Sequence, residues 1–222
     1  MLVIIVSNIV LLSSYKYALF DGEFYTDEFV KNGVYAKYNK TFVDEEHNNI
    51  MSYLLVKNKV LESKSLSEQD RMHLQDVEKL MRNIEYYSYF MIISMFIMFG
   101  YLHIFHREKK DHIWVKATII TGITDLIIVG LLYLSSLNFE WFFTKFHQLS
   151  FNNNLWLMDP AKDLLVNLYP QQFWIDALSK IMMIAVIISV SLIAISLLSR
   201  YFMRKYETRA QEMEKNGESL QK

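Results

Sequence analysis

Residues 177–202 read ALSKIMMIAVIISVSLIAISLLSRYF, and from Ile181 to Ser199 no side chain is charged. At 1.5 Å of rise per residue, an apolar helix of about 20 residues crosses the roughly 30 Å hydrocarbon core of a bilayer. A helix on a water-soluble protein confines its apolar residues to one stripe; this segment is apolar on every side, as a lipid-facing helix must be. Three further blocks share that character: Met1–Phe20 (MLVIIVSNIVLLSSYKYALF), Tyr86–Phe105 and Ala117–Leu137. No basic region precedes the first block and no Ala-x-Ala site follows it, so we read it as a retained span rather than a signal peptide. The expected fold class is an all-α polytopic membrane protein with four transmembrane helices.

The composition excludes several function classes. Mean hydropathy is only +0.12 although 52% of residues are hydrophobic, because the segments between the blocks are charged and aromatic. Without cysteine there is no disulfide framework, thiolate metal site or cysteine nucleophile. A net charge of −1 argues against a nucleic-acid partner. No P-loop, GxSxG or HExxH motif occurs. The chain carries 15 Phe, 14 Tyr and 4 Trp, more ring surface than two lipid interfaces require.

Charge bias orients the spans. The loop between the second and third, His106–Lys116, has four Lys/Arg against two acids, and Arg200–Lys222 has six against four. Asp21–Glu85 has nine against thirteen, and Phe139–Asp176 has two against four. By the positive-inside rule the short loop and the tail are cytoplasmic. The expected order is span 1–20, extracytoplasmic cap segment 21–85, span 86–105, cytoplasmic loop 106–116, span 117–137, extracytoplasmic cap segment 138–176, span 177–202 and cytoplasmic tail 203–222.

Within the first cap segment, Asp44 followed by two acids suits a helix start, with the helix running on through IMSYLLVKNKV. Ser65-Leu-Ser-Glu68 reads as a capping box opening a second helix. His73, Val77, Leu80, Met81 and Ile84 fall on one stripe of it, and Asp76 stands close enough to orient the His73 imidazole. A straight helix would hold His73 about 20 Å above the second span with an apolar stripe in water, so a break is expected near Asn83. In the second segment Phe139, Phe142, Phe143 and Phe146 form an aromatic face that continues the third span and ends at His147. Asn152–Asn154 reads as a turn, Asp159-Pro160 as the start of a short helix through Val166, and Pro170 as the start of the last helix.

Topology sorts the six histidines. His103, His106 and His112 lie at cytoplasmic span ends, and His47 is expected to be solvated in an acidic first turn. His73 and His147 sit on apolar helix faces directed at the top of the bundle, as a reactive pair or as two satisfied core residues. Metal ligation lacks a third nearby histidine. Asp125 is an intramembrane carboxylate and so a functional candidate, although Thr121 and Thr124 offer it local hydrogen bonds. The aromatic set Phe143, Phe146, Trp156 and Trp174 suggests a chamber for acyl chains.

Met72-His-Leu-Gln-Asp-Val-Glu-Lys-Leu80, then Phe142-Phe-x-x-Phe-His147, then Trp156-x-x-Asp159-Pro-x-x-Asp163-Leu-Leu with Pro170 and Phe173, resembles the bacterial lipoprotein intramolecular transacylase family over essentially the whole chain. The resemblance implies a multi-pass protein of the bacterial cell membrane with its active site at the extracytoplasmic face. The implied substrate is a diacylated lipoprotein, whose sn-2 acyl chain moves to the α-amine of its N-terminal cysteine to give the lyso-form. Membrane lipid is the other implied partner, and the transfer needs neither ATP nor metal because ester to amide is downhill. The resemblance carries the catalytic roles onto His73 and His147; Asp76, Asp159 and Asp163 would support them, and the four aromatics above would bind substrate. Asp76 favours His73 as the general base. The competing class is a non-enzymatic receptor or assembly factor that binds lipid or peptide in its cap.

The topology is tested with single cysteines in this cysteine-free chain. A cysteine at Asn153 should react with a membrane-impermeant thiol reagent in intact cells, and one at Ser219 should react only after lysis. The opposite pattern inverts the orientation.

Overall fold

The structure, a computed structural model, describes residues 1–55 and 60–215. Among them the chain is helical without strands: α1 (Leu2–Leu19), α2 (Gly22–Lys31), α3 (Val34–Lys37), α4 (Lys40–Leu54), α5 (Glu68–Phe105), α6 (Lys110–Ser136), α7 (Phe139–Ser150), α8 (Leu165–Leu168) and α9 (Gln171–Lys215). Four of these, α1, α5, α6 and α9, are long and apolar enough to cross a membrane, which matches the four blocks read from sequence. The expected helix end at 56–59 and the last part of the tail, 216–222, lie outside the described residues.

The helices contribute to two compact units. One comprises Met1–Leu12, Met91–Gly130 and the chain from Met183; the other comprises Ser13–Phe90 and Leu131–Met182. The first unit holds a small core of Leu2, Ile5, Val6, Met98, Leu102 and Ala117, while Phe96, Ile97, Ile104 and Ile195 stay exposed. In water such a surface would drive association; toward acyl chains it carries no penalty. Asp125 is fully buried here. Its partner is not Thr121 or Thr124, as the sequence suggested, but the Ser7 hydroxyl, which donates to it from α1. Thr118 and Ser196 share a second polar contact at 2.6 Å. Gly122 permits the closest approach: a β-carbon there would stand 2.8 Å from the Ser189 carbonyl oxygen.

The second unit has the larger core, built from Phe29, Val34, Val43, Ile50, Leu66, Leu74, Leu164, Leu168, Tyr169 and Phe173. Asp21 caps α2 by accepting from the Phe24 N–H and also pairs with Lys180 of α9. Several local expectations are corrected. Helix α4 begins at Lys40 with Asn39 as its cap, while Asp44 pairs with Lys40 and accepts from the Tyr35 hydroxyl. The box at the head of α5 is formed by Ser67 and Asp70, two residues further on: the Asp70 N–H donates to Ser67 Oγ at 3.0 Å and the Ser67 N–H to Asp70 Oδ2 at 3.1 Å. Helix α5 runs unbroken through Asn83. It needs no break, because the cap packs around it: Leu74 enters the core and His73 meets Phe151. The third span does not continue into the aromatic helix; α6 stops at Ser136 and Asn138 caps α7 through the Trp141 N–H. Asp159-Pro160 opens a turn, with helix only at Leu165–Leu168.

The packing at Gly122 is tested against Gly130 of the same helix, where an added β-carbon would meet open space. Gly122→Ala should lower stability in detergent by about 1–3 kcal/mol, the usual cost of overpacking. Gly130→Ala should be neutral or stabilising, since alanine favours helix over glycine by up to about 1 kcal/mol. Thermal unfolding of both purified variants checks the contrast.

Candidate active site

Two helices of the second unit supply the histidines. His73 lies just after the first turn of α5, and His147 lies in the last turn of α7. Both are buried, with 6% and 8% of their surface accessible. Their ring centroids are 6.0 Å apart at an interplanar angle of 31°. Phe151, the residue that ends α7, touches both, at 5.1 Å from His73 and 5.7 Å from His147.

The surroundings of His147 are aromatic. Phe143 stands 4.0 Å away one turn earlier, Phe146 at 5.3 Å, and Trp156 at 5.0 Å. The Phe143 spacing is the i, i+4 relation that brings helix side chains together. His147 Nδ1 lies 2.8 Å from the Phe143 carbonyl oxygen. A carbonyl only accepts, so Nδ1 carries the proton and Nε2 keeps its lone pair. Burial lowers the pKa of His147 from the usual imidazole value. For His73, burial and then the neighbouring His147 depress it to about 4. Both rings are therefore neutral at pH 7. His73 Nδ1 is buried and has no hydrogen-bond partner among the described residues. Such atoms are uncommon in folded chains.

Asp76 does not orient His73. Its carboxylate accepts from Asn153 Nδ2 at 2.8 Å and from Lys79 at 3.2 Å, and these bonds hold its pKa below the usual carboxylate range. Its role is to tie the loop after α7 to α5. Gln69 does the same one helical turn before His73, donating to the Leu155 and Leu157 carbonyls at 3.1 and 2.8 Å. Asp163 accepts from the Ser67 hydroxyl at 2.7 Å and from the Asp159 N–H at 2.7 Å. Asp159 Oδ1 in turn accepts from the Ala161 N–H. Asp159 and Asp163 thus shape the loop rather than meet the rings.

Of the four aromatics expected at the site, Phe143, Phe146 and Trp156 surround His147. Trp174 packs elsewhere, against Tyr169 and Phe173, and donates its indole N–H to the Tyr169 carbonyl. His47 joins that second aromatic cluster instead of being solvated. It lies 2.8 Å from the Tyr169 hydroxyl and against the Tyr25 and Phe29 rings, and burial lowers its pKa to about 4. Outside this unit, His112 pairs with Glu207 and His103 lies near Lys110. Among the described residues no three His, Asp or Glu side chains converge on a metal position. Sequence reasoning missed Phe151, Gln69 and Asp70. Only Asp70 left a signal, as the third residue after a capping serine.

The model of the family described as "Lipoprotein intramolecular transacylase Lit" matches residues 1–174. The structure of the membrane-integral lipoprotein intramolecular transacylase Lit from Bacillus cereus superposes with a TM-score of 0.76 at 22% identity, covering 93% of this chain and 96% of that one. Two further structures of the Bacillus cereus protein, with one histidine replaced by arginine or by alanine, superpose at 0.68 and 23% identity over 94% and 93% of this chain. They are covered to 93% and 94% of their own length. No curated protein matches by sequence.

The buried neutral state of His73 has a stability consequence. Its folded pKa is about 4 and its unfolded value about 6.5. Between those values the unfolded chain binds a proton that the folded one refuses, so stability falls as pH drops from 6.5 toward 4. His73→Asn should lose less melting temperature than the parent between about pH 7 and pH 5. Equal losses in detergent-solubilised melts would mean that His73 titrates normally when folded.

Proposed function

The chain belongs to the lipoprotein intramolecular transacylase family and is an acyltransferase, and we propose that His73 and His147 together move the proton that this transfer requires. The observation that carries the reading is the pair itself: two buried, neutral imidazoles with centroids 6.0 Å apart, one with its tautomer set by a carbonyl and the other with an unpartnered nitrogen. Family membership removes the non-enzymatic receptor as the competing class.

The substrate in this reading is the N-terminal cysteine of a diacylated lipoprotein, presented at the extracytoplasmic face of the bacterial cell membrane. Its amine nitrogen, Cα, Cβ, sulfur, two glycerol carbons, ester oxygen and acyl carbon close an eight-membered ring when nitrogen attacks carbonyl. Medium rings close reluctantly, so holding amine against ester is the main contribution expected of the protein. An α-amine has a pKa of about 7.7–8.0, so it first gives a proton to solvent. As the C–N bond forms, His147 Nε2 takes the second proton and the carbonyl oxygen gains charge, which a His73 N–H stabilises. The ester C–O bond then breaks, and the leaving glycerol oxygen takes the proton from His147. One amide and one hydroxyl result, and both histidines return to neutral.

This exchanges the base expected from sequence. Asp76 spends its oxygens on Asn153 and Lys79, whereas the Nδ1–H bond to Phe143 leaves His147 with a lone pair on Nε2. A depressed histidine pKa makes a weaker base but a stronger conjugate acid, which favours protonating an alkoxide leaving group. Phe143, Phe146 and Trp156 provide the apolar walls for the acyl chain.

The test uses membranes containing the protein and a diacylated lipoprotein, with no added cofactor or acyl donor. The N-terminal lipopeptide should keep its mass while its amine becomes blocked and its sn-2 hydroxyl free. His73→Asn and His147→Asn should each cut the rate by about 10²–10⁴. The double variant should be little worse than the worse single one, because groups that act as a unit are non-additive. Substitution of His103, His106 or His112 should leave most activity. Label from phospholipid acyl chains appearing in the product would replace the intramolecular route by an intermolecular one. Near-normal turnover by folded His147→Asn protein would remove the pair.

A further inference from the structure

Next to the histidine pair lies a cavity of about 250 Å³, lined on α5 by Asp76, Lys79 and Asn83 and on the loop after α7 by Phe151, Asn152 and Asn153. We propose that it is a subsite for the peptide of the substrate, the extended backbone that follows the acylated cysteine. The inference rests on the transfer reaction described above and names where the rest of that substrate goes.

Covalent geometry sets the distance. The reacting amine and the peptide carbonyl are attached to the same Cα by bonds of about 1.46 and 1.52 Å, so the peptide starts about 2.5 Å from the attacking nitrogen. Wherever the histidines hold the amine, the second residue must lie beside them. Phe151 joins the two places, since its ring contacts both histidines and its residue also lines the cavity. The chemistry then divides the substrate. Phe143, Phe146 and Trp156 crowd His147 with rings that suit hydrocarbon. The cavity offers amides and a charge pair, which suit a peptide.

Each peptide residue brings one N–H donor and one carbonyl acceptor that need partners when water is displaced. Lys79 donates, and asparagine amides both donate and accept. Asp76 and Lys79 cancel in charge at 3.2 Å, so the site selects backbone rather than a charged side chain. Asn83 and Asn152 are exposed and make no side-chain hydrogen bond among the described residues, which leaves their amides available. At about 250 Å³ the cavity is below the roughly 300–1,000 Å³ that engulfs a small ligand, and it fits a short run of chain. Binding energy collected there orients the amine at the ester.

The experiment compares two substrates with the full-length enzyme in detergent: a diacylglyceryl-cysteine amide, and the same group carrying a five-residue peptide. The wild type should show a lower KM for the lipopeptide. Combined Asn83→Leu and Asn152→Leu should raise that KM on the order of tenfold, leave its kcat unchanged, and leave the cysteine amide unaffected. An equal effect on both substrates, or none on either, overturns the peptide subsite while the transfer reaction stands. Failure of the wild type to convert either substrate overturns both. Circular dichroism and the melting temperature of the variant, expected to match wild type because both asparagines are exposed, exclude misfolding as the cause of a changed KM.

Discussion

A single carboxylate without access to water organises the cap. Asp70, fully buried, accepts from the backbone N–H groups of Ser67, Leu164 and Leu165. The first bond closes the start of α5; the other two fasten a stretch almost a hundred residues later onto the same point. Burial raises the Asp70 pKa, and the three backbone donors oppose that rise. A buried carboxylate is tolerated when its lone pairs are met by donors, and losing them leaves an expensive orphan. Asp163 adds the Ser67 contact next to it. Because His73 follows Asp70 by three residues on one helix, whatever fixes Asp70 also fixes His73.

The histidine pair lies in an apolar setting. Phe143, Phe146 and Trp156 pack against His147 and Phe151 packs against both rings, and burial keeps both imidazoles neutral at pH 7. The same rings leave no protein partner at His73 Nδ1. A polar atom left unsatisfied in a buried setting is a cost to stability. The second aromatic cluster, around His47 and Tyr169, shows the contrast. There the imidazole Nδ1 and the phenol hydroxyl meet at 2.8 Å.

Much of the architecture was legible. The four spans were, because an apolar run of fixed length is a local property and lipid leaves few alternatives to a helix. His73 and His147 were singled out from helix faces and motif, and the aromatic run Phe143 and Phe146 fell at helical spacing around the latter. Less legible were helix boundaries, where Ser67 rather than Ser65 caps α5 and Asn39 rather than Asp44 caps α4. Several polar residues in a row each suit a cap, and the tertiary contacts choose among them. The break expected at Asn83 failed for a related reason: an apolar stripe beyond a span demands cover, but the pattern does not say whether the helix folds back or other segments wrap it.

The number of spans, the helical class and the residue types available for chemistry were settled in the sequence, since each follows from composition and period over one segment. Folding alone settled that His147 rather than His73 has its tautomer set, that Asp76 serves the loop, and that Trp174 belongs with His47. Those facts depend on which atoms lie within about 3 Å of one another in three dimensions. The Asp76–Asn153 bond joins residues 77 apart in the chain, and no spacing in the sequence encodes that partner.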